Sequence, residues 1–268
     1  MTTPADRPLA LVTGATAGIG AAFARRLAAD GYDLVLVARG RDRLARFATE
    51  LTAEHGGRAE ELAADLSEDE GCGLVEERLR SDPPVDLLVN NAGISLNTPF
   101  LRSTVAEEER LLRLNVHAVM RLTLAAVQRM TVRRHGSVIN VSSVAGFGPV
   151  MPGSTYSASK AWVTNFSESI ALSVRPFGVR VMAVCPGYTR TEFHERAGID
   201  MSKTPTWLWL QADDVVRAAL HDLSQGKDVS VPDWKYKTAV FALRHTPRRL
   251  LRAAMRDTRG RISRDQPT

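Results

Sequence analysis

Short apolar runs alternate along this chain with longer segments of helical spacing, and this alternation limits the possible folds more than any other feature. The longest helical stretch is residues 107–133. One stripe of it holds Leu111, Leu114, Ala118, Val119, Leu122, Ala125 and Ala126. The apolar runs lie at residues 9–13, 33–38, 85–90, 136–142 and 179–184. They lack strict polar alternation, as expected when helices cover both faces of a parallel sheet. The pattern predicts an α/β fold, with a doubly wound parallel sheet of about seven strands flanked by helices.

Length and composition are consistent with one domain. The chain has 268 residues, of which 44% are apolar and 24% charged. No apolar run approaches the roughly 18 residues of a membrane span, and no signal segment precedes the first strand. Cys72 and Cys185 match no metal-ligand spacing, and neither do the six histidines. We therefore expect a single-domain cytoplasmic protein with reduced cysteines and no metal site.

Positive charge is concentrated at the end of the chain. Residues 227–268 carry 11 Lys or Arg against 4 Asp, a balance of +7, which leaves −2 of the total +5 for residues 1–226. No nucleic-acid motif accompanies the charge, so no nucleic-acid partner is predicted. Residues 233–268 are predicted to form a basic helical extension of a catalytic domain at 1–232. Contact of residues 238–256 with an anionic membrane surface is one alternative, but packing over the mouth of the site is favoured.

A glycine-rich turn joins the first apolar run to the first helix. The turn reads TGATAGIG at residues 13–20, with glycines at 14, 18 and 20. Glycines permit a tight turn, and the helix amino terminus then directs amide groups and a positive partial charge at a phosphate. Such glycines also serve ordinary turns, and the spacing differs from GxGxxG, so the turn must be weighed with its companions.

Polar groups follow the later strands at the same predicted edge. Asp65 follows the third strand, NNAG at 90–93 the fourth, Ser142 and Ser143 the fifth, and PGYTRT at 186–191 the sixth. The carboxyl ends of parallel strands share one edge, where α/β sheets bind their ligands. These groups are therefore expected to line one crevice.

In combination, these motifs resemble the short-chain dehydrogenase/reductase family over about residues 8–232. The matching motifs are TGxxxGIG at 13–20, NNAG at 90–93, Asn115 within LNV, Ser143 thirteen residues before Tyr156, YxxxK at 156–160 and PGYT at 186–189. The resemblance implies a Rossmann-type fold, a nicotinamide cofactor, a reaction between alcohol and carbonyl, and a homodimer or homotetramer. It implies cofactor contacts from Gly14, Thr16, Gly18, Ile19, Gly20, Asp65, Asn90, Gly93, Tyr156, Lys160 and Thr189. For Asp65, which resembles the residue contacting the adenine, a helix-capping role remains an alternative.

Four residues are predicted to carry the chemistry. Tyr156 can donate the proton that an alkoxide needs when hydride reaches a carbonyl. Lys160, one helical turn on, can favour the phenolate by Coulomb attraction, and the resemblance adds a contact with the nicotinamide ribose. Ser143 can donate to the substrate oxygen or cap a turn. Asn115 either makes a buried structural hydrogen bond or, by resemblance, relays protons through water to the lysine.

The end of the second apolar run bears on cofactor choice. Sites that prefer NAD usually place an acid there, which accepts from the ribose 2′-hydroxyl. This run reads DLVLVARG and ends at Arg39, with Arg43 one turn into the following helix. A guanidinium can bind a 2′-phosphate through two parallel hydrogen bonds, so the sequence predicts NADP(H). An ordinary surface arginine is the alternative.

A substrate lid is expected at about residues 190–212. This stretch carries Phe193, Trp207, Leu208, Trp209 and Leu210. Such a lining suits a hydrophobic substrate, although packing against the core is an equal alternative. The sequence thus predicts an NADP(H)-dependent oxidoreductase interconverting a carbonyl and an alcohol. An epimerase or dehydratase using the same Tyr-Lys pair, and a catalytically altered dinucleotide-binding regulator or scaffold, are the alternatives.

Overall fold

The computed structural model describes residues 7–98, 100–148, 155–193 and 204–246. The strands are β1 (Leu9–Thr13), β2 (Asp33–Ala38), β3 (Ala59–Ala63), β4 (Leu87–Asn90), β5 (Gly136–Val141), β6 (Val179–Val184) and β7 (Val229–Ser230). The α-helices of the described parts are α1 (Gly18–Ala29), α2 (Arg41–His55), α3 (Asp69–Arg80), α4 (Val105–Leu112), α5 (Ala118–Arg133), α6 (Thr155–Val174), α7 (Ala212–Ser224) and α8 (Trp234–His245). The predicted alternation of strands and helices is confirmed.

The seven strands form one parallel sheet in the order β3-β2-β1-β4-β5-β6-β7. The chain builds outward from β1 in one direction through β3, and then returns to β4 on the other side. This reversal opens a crevice beyond the carboxyl ends of β1 and β4. The predicted doubly wound sheet, and the edge at which its ligands were expected, are therefore present.

Helices cover both faces of the sheet. Along β1, Ala10 and Val12 belong to the core packed beneath α1, α2 and α7, whereas Leu9 and Leu11 belong to the core beneath α3, α5 and α6. All of β1 is buried as a result. The two-sided cover explains why the strands read as continuous apolar runs.

The predicted helical stretch at 107–133 is interrupted by a turn of π-helix. Residues Arg113–His117 form this turn between α4 and α5. Of the predicted stripe, Leu114 is partly buried against the core and the other six residues are buried. A π turn inserts one residue into the helical ladder and occurs frequently at functional sites. Here the turn contains Asn115.

The start of the predicted extension packs on the catalytic domain, and the predicted boundary at residue 232 stays a prediction. Tyr236 of α8 belongs to the core that also includes α1 and α7. Residues 247–268, most of the predicted basic extension, and residues 194–203 of the predicted lid lie outside the described residues. None of the helices in the described ranges has the length and apolarity required to cross a bilayer. The cytoplasmic location and the oligomeric state stay predictions.

Candidate active site

The glycine turn after β1 is folded tightly on itself. Gly14 and Gly18 have φ of +63° and +51°, which disfavours other residues. A Cβ on Gly20 would lie 2.3 Å from the carbonyl oxygen of Gly14, so only glycine allows α1 to begin there. The helix has no side-chain cap and no acid in its first turn. Its amino terminus therefore suits the pyrophosphate of a dinucleotide. Thr16 and Ile19, also predicted to bind the cofactor, are half-buried in the same turn.

The second asparagine of NNAG fixes this turn from β4. The Nδ2 of Asn91 donates to the carbonyl oxygens of Thr13, at 2.9 Å, and Gly14, at 3.3 Å. The hydroxyl of Thr13 in turn accepts from the backbone amides of Asn91 and Ala92 at 3.0 Å. Asn91 was not among the predicted site residues, although its place in the motif offered the signal.

Asn90, the first asparagine of NNAG, was predicted to bind the cofactor, but its side chain faces the core. Its Nδ2 donates to Asn140 Oδ1 at 2.9 Å and to Thr123 Oγ1 at 3.2 Å, and the residue is 3% exposed. Asn140 continues this buried polar chain to Ser167. Because its partners lie in the interior with α5 and α6, the Asn90 side chain acts within the core, and the predicted cofactor contact stays a prediction.

Helix α6 places Tyr156 and Lys160 one turn apart. The Lys160 ammonium lies 5.8 Å from the centroid of the Tyr156 ring and donates to the carbonyl oxygen of Val141 at 2.8 Å. The backbone of Lys160 is also held, because Ser142 Oγ donates to its carbonyl oxygen at 2.7 Å. A Cβ on Gly146 would lie 2.8 Å from the Lys160 carbonyl carbon. This turn of α6 is thereby fixed against the end of β5.

Burial dominates the electrostatics of the pair. It raises the pKa of half-buried Tyr156 to about 12, and a hydrogen bond with Ser143 lowers that pKa only in part. Lys160 was expected to pull the pKa of Tyr156 below its ordinary value. In the protein alone the pKa of Tyr156 lies above that value because the loss of solvent dominates, and the effect of Lys160 on the phenolate stays a prediction. Burial also lowers the pKa of Lys160 to about 8, so the ammonium stays mostly charged near neutral pH.

Ser143 caps a turn, which is one of the two roles weighed for it, and its donation to a substrate oxygen stays a prediction. Its Oγ accepts from the backbone amide of Ala145 at 3.1 Å and caps a short 3-10 helix, Val144–Phe147. The same side chain lies beside Tyr156 and lowers the pKa of its phenol. The amide occupies a lone pair of Oγ, so the hydroxyl proton remains able to point toward Tyr156 or a substrate oxygen.

Asn115 is fully buried in the π turn. Its Oδ1 accepts from the amide of Ile94 at 2.9 Å, and its Nδ2 donates to Ile94 O at 2.8 Å and Ser159 Oγ at 3.2 Å. Of the two roles considered for Asn115, the buried structural hydrogen bond is therefore present. A Cβ on Gly93 would lie 3.1 Å from Asn115 Oδ1 and 3.5 Å from Lys160 Nζ, so these groups meet around that glycine. The relay through water stays a prediction.

Two arginines lie near the end of β2, and each faces an acid. Arg39 Nη1 lies 3.8 Å from Asp65 Oδ2, whereas Arg43 makes a bidentate pair with Glu192 at 2.6 and 3.1 Å. Burial would raise the pKa of Asp65, but hydrogen bonds from Ser67 and the charge of Arg39 hold it below its ordinary value. Asp65 Oδ1 accepts from the amide and hydroxyl of Ser67 within a turn, whereas the N-cap residue of α3 is Glu68, so the helix-capping role considered for Asp65 is not observed.

The threonine selected from PGYT points inward. The hydroxyl of Thr189 donates to Gly187 O at 3.0 Å, and the residue is 4% exposed. Thr191, two residues on, lies against the glycine turn instead, since a Cβ on Gly18 would be 2.8 Å from its Cβ. Thr191 therefore lies beside the glycine turn, and the cofactor contact predicted for Thr189 stays a prediction.

The aromatic and aliphatic residues of the predicted lid do not act alike. The ring of Phe193 lies 5.9 Å from that of Tyr156, measured between centroids. Leu210 is buried and Leu208 packs on the core, while Trp207 is 61% exposed. Packing against the core, one of the two alternatives, therefore holds for Leu208 and Leu210, and the lining of a hydrophobic substrate stays a prediction. Residues 204–210 approach Tyr188, whose ring centroid lies 6.0 Å from that of Trp209.

Similarity to known proteins identifies the family of this chain. A family model described as "short chain dehydrogenase" matches residues 8–201. The chain belongs to the short-chain dehydrogenase/reductase family. It is 33% identical over 185 residues to the 3-oxoacyl-(acyl-carrier-protein) reductase of Aquifex aeolicus, covering 69% of this chain and 75% of that protein.

Among short-chain dehydrogenase structures, one from Sphingobium yanoikuyae in complex with NADPH shares 36% identity and a TM-score of 0.81, covering 97% of this chain and 98% of the other. A bulky-bulky ketone specific alcohol dehydrogenase from Comamonas testosteroni shares 31% identity and a TM-score of 0.78, covering 97% and 96%. Like other short-chain dehydrogenases, the chain is an NAD(P)-dependent oxidoreductase that acts on alcohol and carbonyl groups. Its described residues contain no cluster of side chains that could hold a metal ion.

Proposed function

We propose that this chain is an NADP(H)-dependent oxidoreductase that interconverts a hydrophobic carbonyl compound and its alcohol, with Tyr156 as the proton donor and acceptor. The observation that carries the proposal is the contact of Ser143 with Tyr156 beside the buried ammonium of Lys160. A protein that only binds a dinucleotide has no need of this arrangement.

The residues at the crevice fit a nicotinamide cofactor. The glycine turn and Thr191 would hold its phosphates, Arg39 its adenosine end, and Lys160 its nicotinamide ribose. When bound, the cofactor supplies the hydride to the carbonyl carbon or accepts it from the alcohol.

The charge states of the protein groups suit carbonyl reduction. With a pKa of about 12, Tyr156 is a neutral phenol near neutral pH and holds the proton that the substrate oxygen must receive. Ser143 can donate to the same oxygen and stabilise its developing negative charge. Once the proton has left, the ammonium of Lys160 stabilises the phenolate of Tyr156 by Coulomb attraction. In the oxidation direction, the phenolate receives the proton from the alcohol.

The end of β2 supports NADP(H) over NAD(H). No acid stands at that position, and the Arg39–Asp65 distance of 3.8 Å is too long for a hydrogen bond, which leaves the guanidinium of Arg39 able to turn to a 2′-phosphate. Arg43 is engaged by Glu192, so Arg39 carries more of the proposed contact. The similar structure in complex with NADPH adds support.

A hydrophobic substrate is supported by the aromatic surroundings of Tyr156. Phe193 touches the phenol ring, and the pair Tyr188–Trp209 lies on the neighbouring segments. Relatives point the same way by their names, since they include a bulky-bulky ketone specific alcohol dehydrogenase and a very-long-chain 3-oxoacyl-CoA reductase from Bos taurus.

The test is steady-state turnover of NADPH and NADH with aldehydes and ketones graded in size and polarity. We expect NADPH-dependent reduction, with the highest kcat/KM on large apolar carbonyls, that is lost in Tyr156→Phe and retained in Tyr32→Phe. Binding of NADPH without turnover of any carbonyl would favour the regulatory alternative. Interconversion of stereoisomers with no net use of cofactor would favour the epimerase alternative.

A further inference from the structure

Tyr236, near the start of α8, is wedged against the PGYT segment. The residue is 6% exposed. Its ring occupies the space that a side chain at position 187 would need, because a Cβ on Gly187 would lie 2.0 Å from the ring. Gly187 and Tyr236 are therefore complementary: the missing side chain of one admits the ring of the other.

The hydroxyl of Tyr236 joins two segments that are far apart in sequence. It accepts from the backbone amide of Tyr188 at 3.0 Å and donates to the carbonyl oxygen of Leu208 at 2.7 Å. Only two backbone bonds link these segments directly in the described chain: Leu210 N donates to Tyr188 O at 2.8 Å, and Arg190 N to Leu210 O at 3.0 Å. The hydroxyl of Tyr236 therefore raises the number of hydrogen bonds between the segments that carry the Tyr188–Trp209 aromatic pair from two to four.

Further contacts of α8 strengthen this link. Lys235 Nζ donates to the carbonyl oxygen of Trp207 at 3.0 Å. At the other end of the helix, the guanidinium of Arg244 lies 4.7 Å from the ring centroid of Phe147, in the 3-10 helix capped by Ser143. The amide of Val144, next to Ser143, donates to the carbonyl oxygen of Pro186 at 3.0 Å. The helix thus contacts both the aromatic pair and the element that presents Ser143.

We propose that Tyr236 is a positioning residue for the substrate. Its hydroxyl holds residues 188–190 and 207–210 together as one wall of the site. Its ring packs on Gly187, next to Pro186, whose carbonyl oxygen accepts from the amide of Val144 beside Ser143. This proposal rests on the proposed function for the identity of the substrate. It makes α8 part of the substrate site, and it predicts that the hydroxyl of Tyr236 governs affinity for the carbonyl compound without touching the cofactor.

Tyr236→Phe tests the proposal, because it removes the two hydrogen bonds and leaves the ring over Gly187. Hydrogen exchange of the backbone amides is measured on peptides covering residues 188–190 and 207–210, with β5 as an internal reference. The matched control is Thr238→Val on the same helix, where an exposed hydroxyl bonds only to Trp234 O of its own helix. Substrate KM, kcat and the dissociation constant of NADPH are measured on the same variants.

We expect exchange at 188–190 and 207–210 to rise at least about fivefold in Tyr236→Phe, as the loss of hydrogen bonds of ordinary strength implies. Substrate KM should rise by about the same factor, with kcat and NADPH affinity within about twofold of wild type. Thr238→Val should change none of these. Unchanged exchange, or a lower melting temperature with unchanged KM, would overturn the proposal. If the wild-type protein reduced no carbonyl, the proposed function would fall, while the exchange rates would still decide whether Tyr236 holds the wall together.

Discussion

The Lys160 ammonium donates a 2.8 Å hydrogen bond to the carbonyl oxygen of Val141 at the end of β5, and the residue is only 4% exposed. A charge in this position has lost most of its hydration, which is why its pKa falls to about 8. The same ammonium is the group available to stabilise a phenolate at Tyr156. Its protonation state is therefore the part of the site most sensitive to pH.

Carbonyl reduction should accordingly decline as the pH rises through about 8. Below that pH, Lys160 is protonated and Tyr156, with a pKa of about 12, is neutral; above it, only the lysine loses its proton. Measurement of kcat/KM against pH is expected to give a plateau near neutral pH and a fall above about pH 8. Lys160→Arg keeps a charge over the whole range, so its residual activity should show no fall there. A fall at the same pH in that variant would assign the titration to another group.

Arg39→Asp should reduce the preference for NADPH over NADH by at least about tenfold, or ~1.4 kcal/mol, because it removes the guanidinium and adds a charge that repels the 2′-phosphate. The measurement is kcat/KM for both cofactors with one substrate.

Arg46→Asp makes the same charge change at an exposed site on α2 and serves as the control. We expect it to leave the ratio nearly unchanged. A wild-type enzyme that prefers NADH, or an equal effect of the two substitutions, would show that Arg39 is not the phosphate ligand.

Asn115→Ala should lower the free energy of unfolding by about 2–4 kcal/mol, since it breaks three buried hydrogen bonds and leaves the amide of Ile94 without its partner. Urea denaturation measures the change. Asn165→Ala, at an exposed position on α6, is the control and should cost less than about 0.5 kcal/mol. An Asn115→Ala protein of wild-type stability would mean that these bonds contribute little, and would leave the water relay as the reason for the asparagine.

Much of the sheet could be predicted from sequence, because strands covered on both faces must be apolar along their whole length. β3 carried no such signal. It lies at the edge of the sheet and reads AEELA, with two of its five residues exposed. Its place could be predicted only from the resemblance of the residues that follow it.

Side-chain direction at the end of β4 could be predicted from the sequence. Asn90 lies two residues after Leu88, which packs in the core with α5, so strand alternation turns Asn90 toward the same face and away from the crevice. That parity was readable from the sequence. The π turn at Asn115 was not, because it depends on contacts with Ile94, 21 residues earlier. The contact of Tyr236 with Gly187 could not be predicted from the sequence either, because neither residue carries a local signal for it.

In the proposed mechanism, NADPH delivers hydride to a carbonyl carbon while Tyr156 protonates the oxygen. The most direct test uses NADPH that carries deuterium at both hydrogen positions of nicotinamide C4. It is incubated with a large apolar ketone and either wild-type protein or Tyr156→Phe, and the alcohol is analysed by mass spectrometry. We predict one deuterium on the carbinol carbon with wild-type protein, and alcohol formation reduced at least about a hundredfold in the variant, within the range for loss of a general acid, at unchanged NADPH affinity. Alcohol without deuterium, or a variant as fast as wild type, would contradict the mechanism.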